Sequence, residues 1–183
     1  MEGHFQLTSG RHSGQYLEKF NLLQWPQYTE LVCRKMAAAG RPYAPRTVAG
    51  PTTGGVLLAY EVARQLGLRG IFCEPDPAGG RSFQRGFHLE PDEPVMIVDD
   101  VVTTGGSLVD TVAAVRKAGG RPVCIAAIAD RSGGRVDFGG LPFFAATDVV
   151  MESYAPEDCP ICRGQPLQVI RPGHPAASTP EPR

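Results

Sequence analysis

The sequence predicts an α/β domain built on a mainly parallel sheet. Two β-α-β patterns, at residues 47–73 and 95–128, carry this reading, together with a continuous apolar run, Val95-Met96-Ile97-Val98, of the kind that suits a strand buried on both faces. The 183 residues, 42% hydrophobic and 20% charged, suit one globular domain with a substantial core.

Trp25-Pro26-Gln27-Tyr28 opens a helix, with Pro26 in the first turn, Tyr28, Leu31, Val32 and Met36 on one face, and Gly40 ending it. Residues 41–46 form a loop. A short strand runs from Thr47 to Gly50, a turn follows over Pro51, Thr52, Thr53, Gly54 and Gly55, and Val56, Tyr60, Ala63 and Leu66 then recur at helical spacing up to Gly67. Ile71-Phe72-Cys73 is the next strand. Between Glu74 and Glu93 lies a Gly-, Pro- and Arg-containing excursion in which Ser82 to Leu89 suits a hairpin arm. The second unit begins with the Val95–Val98 strand and continues through Asp99-Asp100-Val101-Val102-Thr103-Thr104-Gly105-Gly106. Its helix has Ser107 near the N-cap, Asp110 three residues on, and Leu108, Val112 and Val115 on one face. Gly119-Gly120 stops that helix, and Val123 to Ile128 forms the closing strand. The stretch 171–183 has too few apolar groups to offset ordering entropy, so a disordered tail is expected after a domain spanning residues 1–170.

A net charge of -1 provides no basic field for non-specific nucleic-acid binding. No apolar run approaches the roughly 20 residues that cross a bilayer, and the N-terminus lacks the layout of a signal peptide. A cytoplasmic protein with neither nucleic-acid nor membrane partners is expected. The five cysteines are read as reduced: Cys33, Cys73 and Cys124 lie in apolar surroundings. Cys159-Pro160-Ile161-Cys162 supplies two of the four ligands of a structural zinc site, and no second CxxC follows. A simple turn is the favoured reading, with a symmetric dimer or a nearby histidine as the routes to a complete site.

The chemistry concentrates between Val95 and Ser107. Ligands of open parallel sheets sit at the carboxyl ends of strands, and a helix N-terminus there offers unpaired N–H groups and a positive dipole end. Gly105 and Gly106 permit close backbone approach, and Thr103, Thr104 and Ser107 add hydroxyls, which together describe a phosphate cradle. Two adjacent acids are costly beside a phosphate unless they serve something else, and sugar hydroxyls or a magnesium ion would use them. A ribose phosphate satisfies both halves of the segment. Taken singly, the acid pair and the Thr-Thr-Gly-Gly turn read equally well as loop and helix punctuation.

This segment resembles the phosphoribosyl pyrophosphate (PRPP) motif of the type I phosphoribosyltransferases. The resemblance implies that family's fold, a mainly parallel twisted sheet flanked by helices, with a small N-terminal hood region and a hairpin-like mobile arm. It also implies that Asp99 and Asp100 face the ribose hydroxyls, and that the stretch Val101, Val102, Thr103, Thr104, Gly105, Gly106 and Ser107 holds the 5-phosphate. Thr52, Thr53 and Gly54 lie in a turn similar to the family's pyrophosphate loop. Two further segments resemble the orotate phosphoribosyltransferases in particular: Phe5-Gln6-Leu7-Thr8-Ser9-Gly10, followed by Tyr16, is similar to their base-site loop, and Asp130-Arg131 to the turn whose arginine meets orotate. An arginine fork is a planar partner for a carboxylate, so Arg131 and Thr103 are assigned to orotate. The implied reaction joins orotate and PRPP, giving orotidine 5'-phosphate and pyrophosphate for pyrimidine synthesis. Mg²⁺ would be the cofactor, held mainly by PRPP with no confident protein side-chain ligand, and the enzyme would be a homodimer. A purine or uracil phosphoribosyltransferase, and a PRPP-binding regulator without catalysis, are the alternatives.

The chain departs from the family in its cations. Lys19, Lys35 and Lys117 are its only lysines. Gly54 stands where the pyrophosphate loop of relatives has a lysine, and the arm offers Arg81, Arg85 and His88 instead. Arg85, supported by Arg81, is therefore assigned the catalytic positive charge, with His88 a weaker candidate and solvated arm charges the competing reading. Thr8 stands where some relatives place a cation near the base, and the helix usual before the base loop is missing.

Overall fold

The computed structural model describes residues 1–7, 10–164 and 169–172. In chain order its elements are β1 (Glu2–Gln6), β2 (His12–Gln15), α1 (Phe20–Leu23), α2 (Pro26–Gly40), β3 (Thr47–Pro51), α3 (Gly54–Leu66), β4 (Arg69–Pro75), β5 (Arg81–Phe83), β6 (Pro94–Val102), α4 (Gly106–Lys117), β7 (Arg121–Asp130), β8 (Phe143–Asp148) and α5 (Pro160–Arg163). They divide into two compact units, Lys19–Val149 and a smaller one in which Met1–Glu18 joins Val150–Arg183.

The larger unit holds a six-stranded sheet in the order β5-β4-β3-β6-β7-β8, parallel except for β5, which pairs antiparallel with β4. Strand β6 lies at its centre and is buried on both faces, as its unbroken apolar run requires. Successive side chains alternate across the sheet. Met96 and Val98 pack with Cys33 and Met36 of α2 and Leu58 and Val62 of α3. Val95 and Ile97 pack on the opposite face with Leu108, Val112 and Val115 of α4. Both β-α-β units form as expected.

Four details differ from the sequence expectation. The buried face of α2 is Thr29, Cys33, Met36, Ala37 and Gly40, while Tyr28 and Leu31 are exposed. In α3 the buried residues include Leu58, Ala59, Val62 and Ala63, while Tyr60 points outward. Val32, Met36, Ala63 and Leu66 pack on the core as expected, and small residues let both helices sit close to the sheet, which turns the buried stripe away from Tyr28, Leu31 and Tyr60. The expected Ser82–Leu89 arm is instead a β4–β5 hairpin, with Cys73 opposite Phe83 and Pro75 opposite Arg81. Strand β8, whose chain runs parallel to β7, carried no distinct local signal.

The amino ends of the strands are tied by a buried polar cluster. Glu93 accepts from Thr47 Oγ1 at 2.5 Å, from Arg69 Nη2 at 3.0 Å and from the Glu90 amide at 2.8 Å. Burial pushes this carboxyl up, yet Thr47, the Glu90 amide and Arg69 outweigh it and hold it below the usual carboxylate range.

In the smaller unit, β1 and β2 form an antiparallel hairpin. Tyr154 exchanges backbone hydrogen bonds with His12, and Ile170 bridges to Phe5. Residues 173–183 of the expected tail lie outside the described residues, as do Thr8 and Ser9. Among the described residues no helix is long and apolar enough to cross a membrane.

Replacing Glu93 by Ala strands a buried hydroxyl and an amide. It should lower unfolding free energy by about 2 kcal/mol, read as a lower urea midpoint at unchanged slope. An unchanged midpoint would show that the cluster adds nothing to the sheet.

Candidate active site

The first β-α-β unit runs outward from β3 to β4, and the second runs the opposite way, from β6 through β7 to β8. The strand order therefore reverses between the neighbours β3 and β6. Such a switch point opens a crevice at the carboxyl ends of the two strands. The two loops singled out in the sequence, 51–55 and 99–107, both emerge there.

Strand β6 continues four residues past the apolar run, to Val102, so Asp99 and Asp100 are strand residues and obey its alternation. Asp99 shares the α4 face with Val95 and Ile97; Asp100 shares the α3 face with Met96 and Val98. Both are buried. Asp99 Oδ1 accepts the Asp100 amide at 2.8 Å, and Asp100 Oδ1 accepts the Val101 amide at 2.7 Å. On the α3 side the fit is close: a Cβ on Gly54 would stand 1.8 Å from Asp100 Oδ2, so a side chain there requires the carboxylate to move. That oxygen also receives Lys19 Nζ at 2.8 Å. Burial first and the Asp100 charge second push Asp99 up to about 6, against the Asp100 amide, Lys19 and the Ser107 hydroxyl, which pull it down.

Beyond the acids, the chain turns into α4. Asp99, Thr103, Thr104, Gly105, Gly106 and Ser107 line a cavity of about 160 Å³. The N-cap is Gly105, with Ser107 two residues on, and no side chain caps the helix. Gly105 has φ 77°, and a Cβ there would meet Val136 Cγ1 at 2.4 Å, so both conformation and space demand glycine. An uncapped helix start lined by hydroxyls is an anion site. A larger cavity of about 200 Å³, near Gly40, Tyr43, Met96 and Phe143, lies at the amino ends of the strands and carries none of these groups.

On the β3 side, Thr52 Oγ1 accepts from Arg81 Nη1 at 3.3 Å, which brings one arm arginine to the loop resembling the pyrophosphate loop. Thr53 is the N-cap of α3, again without a side-chain cap. Arg85, the other arm arginine, is not brought to this site: its guanidinium forms two 2.8 Å bonds with Glu74 and lies over the Phe72 ring at 5.9 Å. His88 is on the exposed part of the arm. On the β7 side, the Arg131 amide donates to Val102 O at 2.8 Å, which fixes the Asp130–Arg131 turn beside the Thr103 loop. Asp130 accepts the Ser132 amide at 2.7 Å and the Gly134 amide at 3.2 Å. Burial raises that carboxyl, but the Ser132 hydroxyl and both amides hold it below the usual range.

Residues 21–144 match the family model described as "Phosphoribosyl transferase domain". The chain is 48% identical over 176 residues to the orotate phosphoribosyltransferase of Heliobacterium modesticaldum, covering 94% of this chain and 90% of the relative. It is 43% identical to that of Thermotoga maritima, covering 94% and 91%. The chain belongs to the orotate phosphoribosyltransferase family. The fold agrees: the orotate phosphoribosyltransferase of Aeropyrum pernix superposes with a TM-score of 0.68 at 24% identity, over 81% of this chain and 87% of that one. These relatives favour the orotate enzyme over the purine, uracil and regulator readings. The type I phosphoribosyltransferase fold inferred from the PRPP motif is the fold observed.

Sequence reasoning missed two things. Lys19, set aside as an isolated lysine, reaches Asp100, and nothing in its local sequence marked it. Cys159 and Cys162, for which a plain turn was favoured, have His4 and His12 against them.

Because Asp99 binds its proton more tightly folded than unfolded, its contribution to stability is present below the usual carboxylate value of about 4 and is lost as pH rises through about 6. Asp99→Asn should therefore be more stable than the parent at pH 7, with a flatter stability profile across that window, while losing PRPP binding. Urea titrations at several pH values give the first result and calorimetry with PRPP the second; a variant less stable at pH 7 contradicts the burial argument.

Proposed function

We propose that this orotate phosphoribosyltransferase joins a ring nitrogen of orotate to the anomeric carbon of PRPP, releasing pyrophosphate, at the crevice between β3 and β6. The observation that carries this reading is the meeting of the Asp99–Asp100 pair and the uncapped start of α4 with the Thr52–Gly54 loop at one switch point. Asp99 and Asp100 accept hydrogen bonds from the ribose hydroxyls. Val101, Val102, Thr103, Thr104, Gly105, Gly106 and Ser107 bind the 5-phosphate through backbone N–H groups and hydroxyls, and Thr52, Thr53 and Gly54 take the pyrophosphate. Arg131 faces the orotate carboxylate, with Thr103 beside it.

The protein contributes positioning and charge more than covalent chemistry. Ionised Asp99 and Asp100 fix the ribose so that its anomeric carbon faces the incoming base, and they favour the positive character that develops there as the bond to pyrophosphate breaks. Arg81, held at Thr52, stabilises negative charge on the departing group. Arg85 joins it when the arm leaves Glu74. Carboxylates and hydroxyls are hard oxygen donors that suit Mg²⁺, which would be held chiefly by PRPP with Asp99 and Asp100 nearest; its bound charge would add to the neutralisation of pyrophosphate. Exposed Trp25 just before α2, Tyr28 and Leu31 on α2, and Leu57 and Tyr60 on α3 support a homodimer.

Loss of orotate absorbance in the presence of PRPP and Mg²⁺ tests the reaction, with adenine, hypoxanthine and uracil followed in parallel by pyrophosphate release. Turnover with orotate alone is expected; turnover with another base removes Arg131 from its role, and PRPP binding without turnover removes the enzyme. Arg81→Ala should lower kcat by about 100-fold with an unchanged circular dichroism spectrum. Arg85→Ala should lower it less, and an unaltered rate would confine the charge to Arg81. Tyr60→Glu should shift the sedimentation coefficient from dimer to monomer, and a variant that stays dimeric places the interface elsewhere.

A further inference from the structure

In the smaller unit, four side chains from opposite ends of the chain turn their ligating atoms toward one point. His4 lies on β1 and His12 on β2; with Gln6 opposite His12, His4 is its diagonal neighbour on the same face of the hairpin. Cys159 and Cys162 bracket the first turn of α5, where the Arg163 amide donates to Cys159 O and closes a turn that sets both sulfurs to one side. His4 Nε2 stands 2.9 Å from His12 Nδ1, 3.4 Å from Cys162 Sγ and 3.6 Å from Cys159 Sγ. His12 Nδ1 is 3.3 Å from Cys162 Sγ, and all four atoms lie within 4.8 Å of one another.

Hydrogen bonding does not account for this packing. A ring nitrogen of neutral imidazole has one proton or one lone pair, in the ring plane, and His4 Nε2 faces three polar atoms at once. The corners of a tetrahedron around one cation explain it. With metal–sulfur bonds of about 2.3 Å and metal–nitrogen bonds of about 2.0–2.1 Å, such corners are about 3.3–3.8 Å apart. The three nitrogen–sulfur separations of 3.3, 3.4 and 3.6 Å match within a few tenths of an ångström, and a bound ion would spread the 2.9 Å nitrogen pair.

Burial points the same way. Among the described residues of this unit, the buried side chains are His4, Phe5, His12, Ser13 and Cys159. Three of the five are members of the cluster, so the space that an apolar core would fill is occupied by imidazole and thiol. Burying polar groups is costly unless they are satisfied, and units with so little apolar core are commonly held by a metal or disulfide. The cysteines are not joined in a disulfide.

We propose that His4, His12, Cys159 and Cys162 form a structural zinc site. Two thiolates and two imidazoles suit zinc, and four protein ligands leave no open position, as in sites that hold structure rather than perform chemistry. The ion joins the hairpin at one end of the chain to the α5 turn near the other. It is independent of the proposed PRPP and orotate contacts and of the Mg²⁺ that accompanies PRPP.

The test is the metal content of untagged protein purified under reducing conditions without chelator. Elemental analysis should give about one zinc per chain. A mercurial that titrates the two thiolates should release it. Protein stripped of metal and supplied with Co²⁺ should develop the intense visible bands of a tetrahedral ion and a thiolate-to-cobalt charge-transfer band. Cys162→Ser, at the exposed ligand, should lose the zinc and the charge-transfer intensity, and melt at a lower temperature. Should that variant fail to fold, cobalt uptake by the parent decides the matter alone. Reduced parent protein that contains no zinc and gives no cobalt bands overturns the site, as does a Cys159–Cys162 disulfide found by mass spectrometry in freshly isolated protein.

Discussion

Two adjacent carboxylates at the end of a strand buried on both faces are the constraint around which the larger unit is arranged. Alternation sends Asp99 to the α4 side and Asp100 to the α3 side, so each acid meets a different helix start. The consequences are visible on both sides. Next to Asp100 the chain is bare at Gly54, where a Cβ would displace the carboxylate, and a lysine comes from outside the sheet to pair with it. Asp99 lacks so direct a counter-charge and is pushed up to about 6. Such a pair is held in place by the fold, with two neighbouring amides and one lysine as its partners. It therefore gains most from a ligand that brings hydroxyl donors to it, which is the property a ribose site needs.

The same crevice must attract phosphates although its floor is negative. Separation in space resolves this. The acids occupy the strand end, while the unpaired N–H groups belong to the helix starts beyond it, at Gly105–Ser107 and Thr53–Gly55. Positive side chains are few, and they arrive from flanking segments: Lys19 from before α1 and Arg81 from β5. Arg81 occupies the neighbourhood left open by the glycine at the pyrophosphate-loop position, and its planar fork can bridge two phosphate oxygens where a lysine offers one point charge. Arg85 is held apart by Glu74 and Phe72, an exposed ion pair of the kind that contributes little to stability and is readily exchanged. In the proposed reaction the arm would thus hold a second cation in reserve at small cost.

How much of this was legible depended on the kind of signal. The β-α-β units, the central strand and the hydroxyl-rich turn into α4 were readable because each is written locally, in apolar runs, glycine stops and hydroxyl clusters. The buried faces of α2 and α3 were misread because Thr29, Cys33 and Ala59 are chosen for size at a close helix–sheet contact, whereas Tyr28, Leu31 and Tyr60 carry the hydrophobicity yet face outward. Ser107 lies near the N-cap as read, but its hydroxyl serves Asp99 and does not cap the helix. Lys19 could not have been found: its partner is distant in sequence, and a single lysine before a short helix has no pattern. The CxxC turn was read as half a site for the same reason, since its other half is at the opposite end of the chain.

The two units solve the problem of holding a chain together in different ways. The larger one buries aliphatic side chains on both faces of a sheet, and tolerates charge at its strand ends because the core beneath is large. The smaller one is built from two chain ends and contributes Phe5 as its one large buried apolar side chain among the described residues. Hydrophobic burial alone cannot offset the entropy of ordering both segments at once. A zinc ion with two strand histidines and two turn cysteines supplies the missing cohesion, because ligands brought together only in the folded chain turn metal affinity into folding free energy. The imidazoles and thiols then have a reason to be inside, in positions where a core of this size would otherwise require leucine or valine.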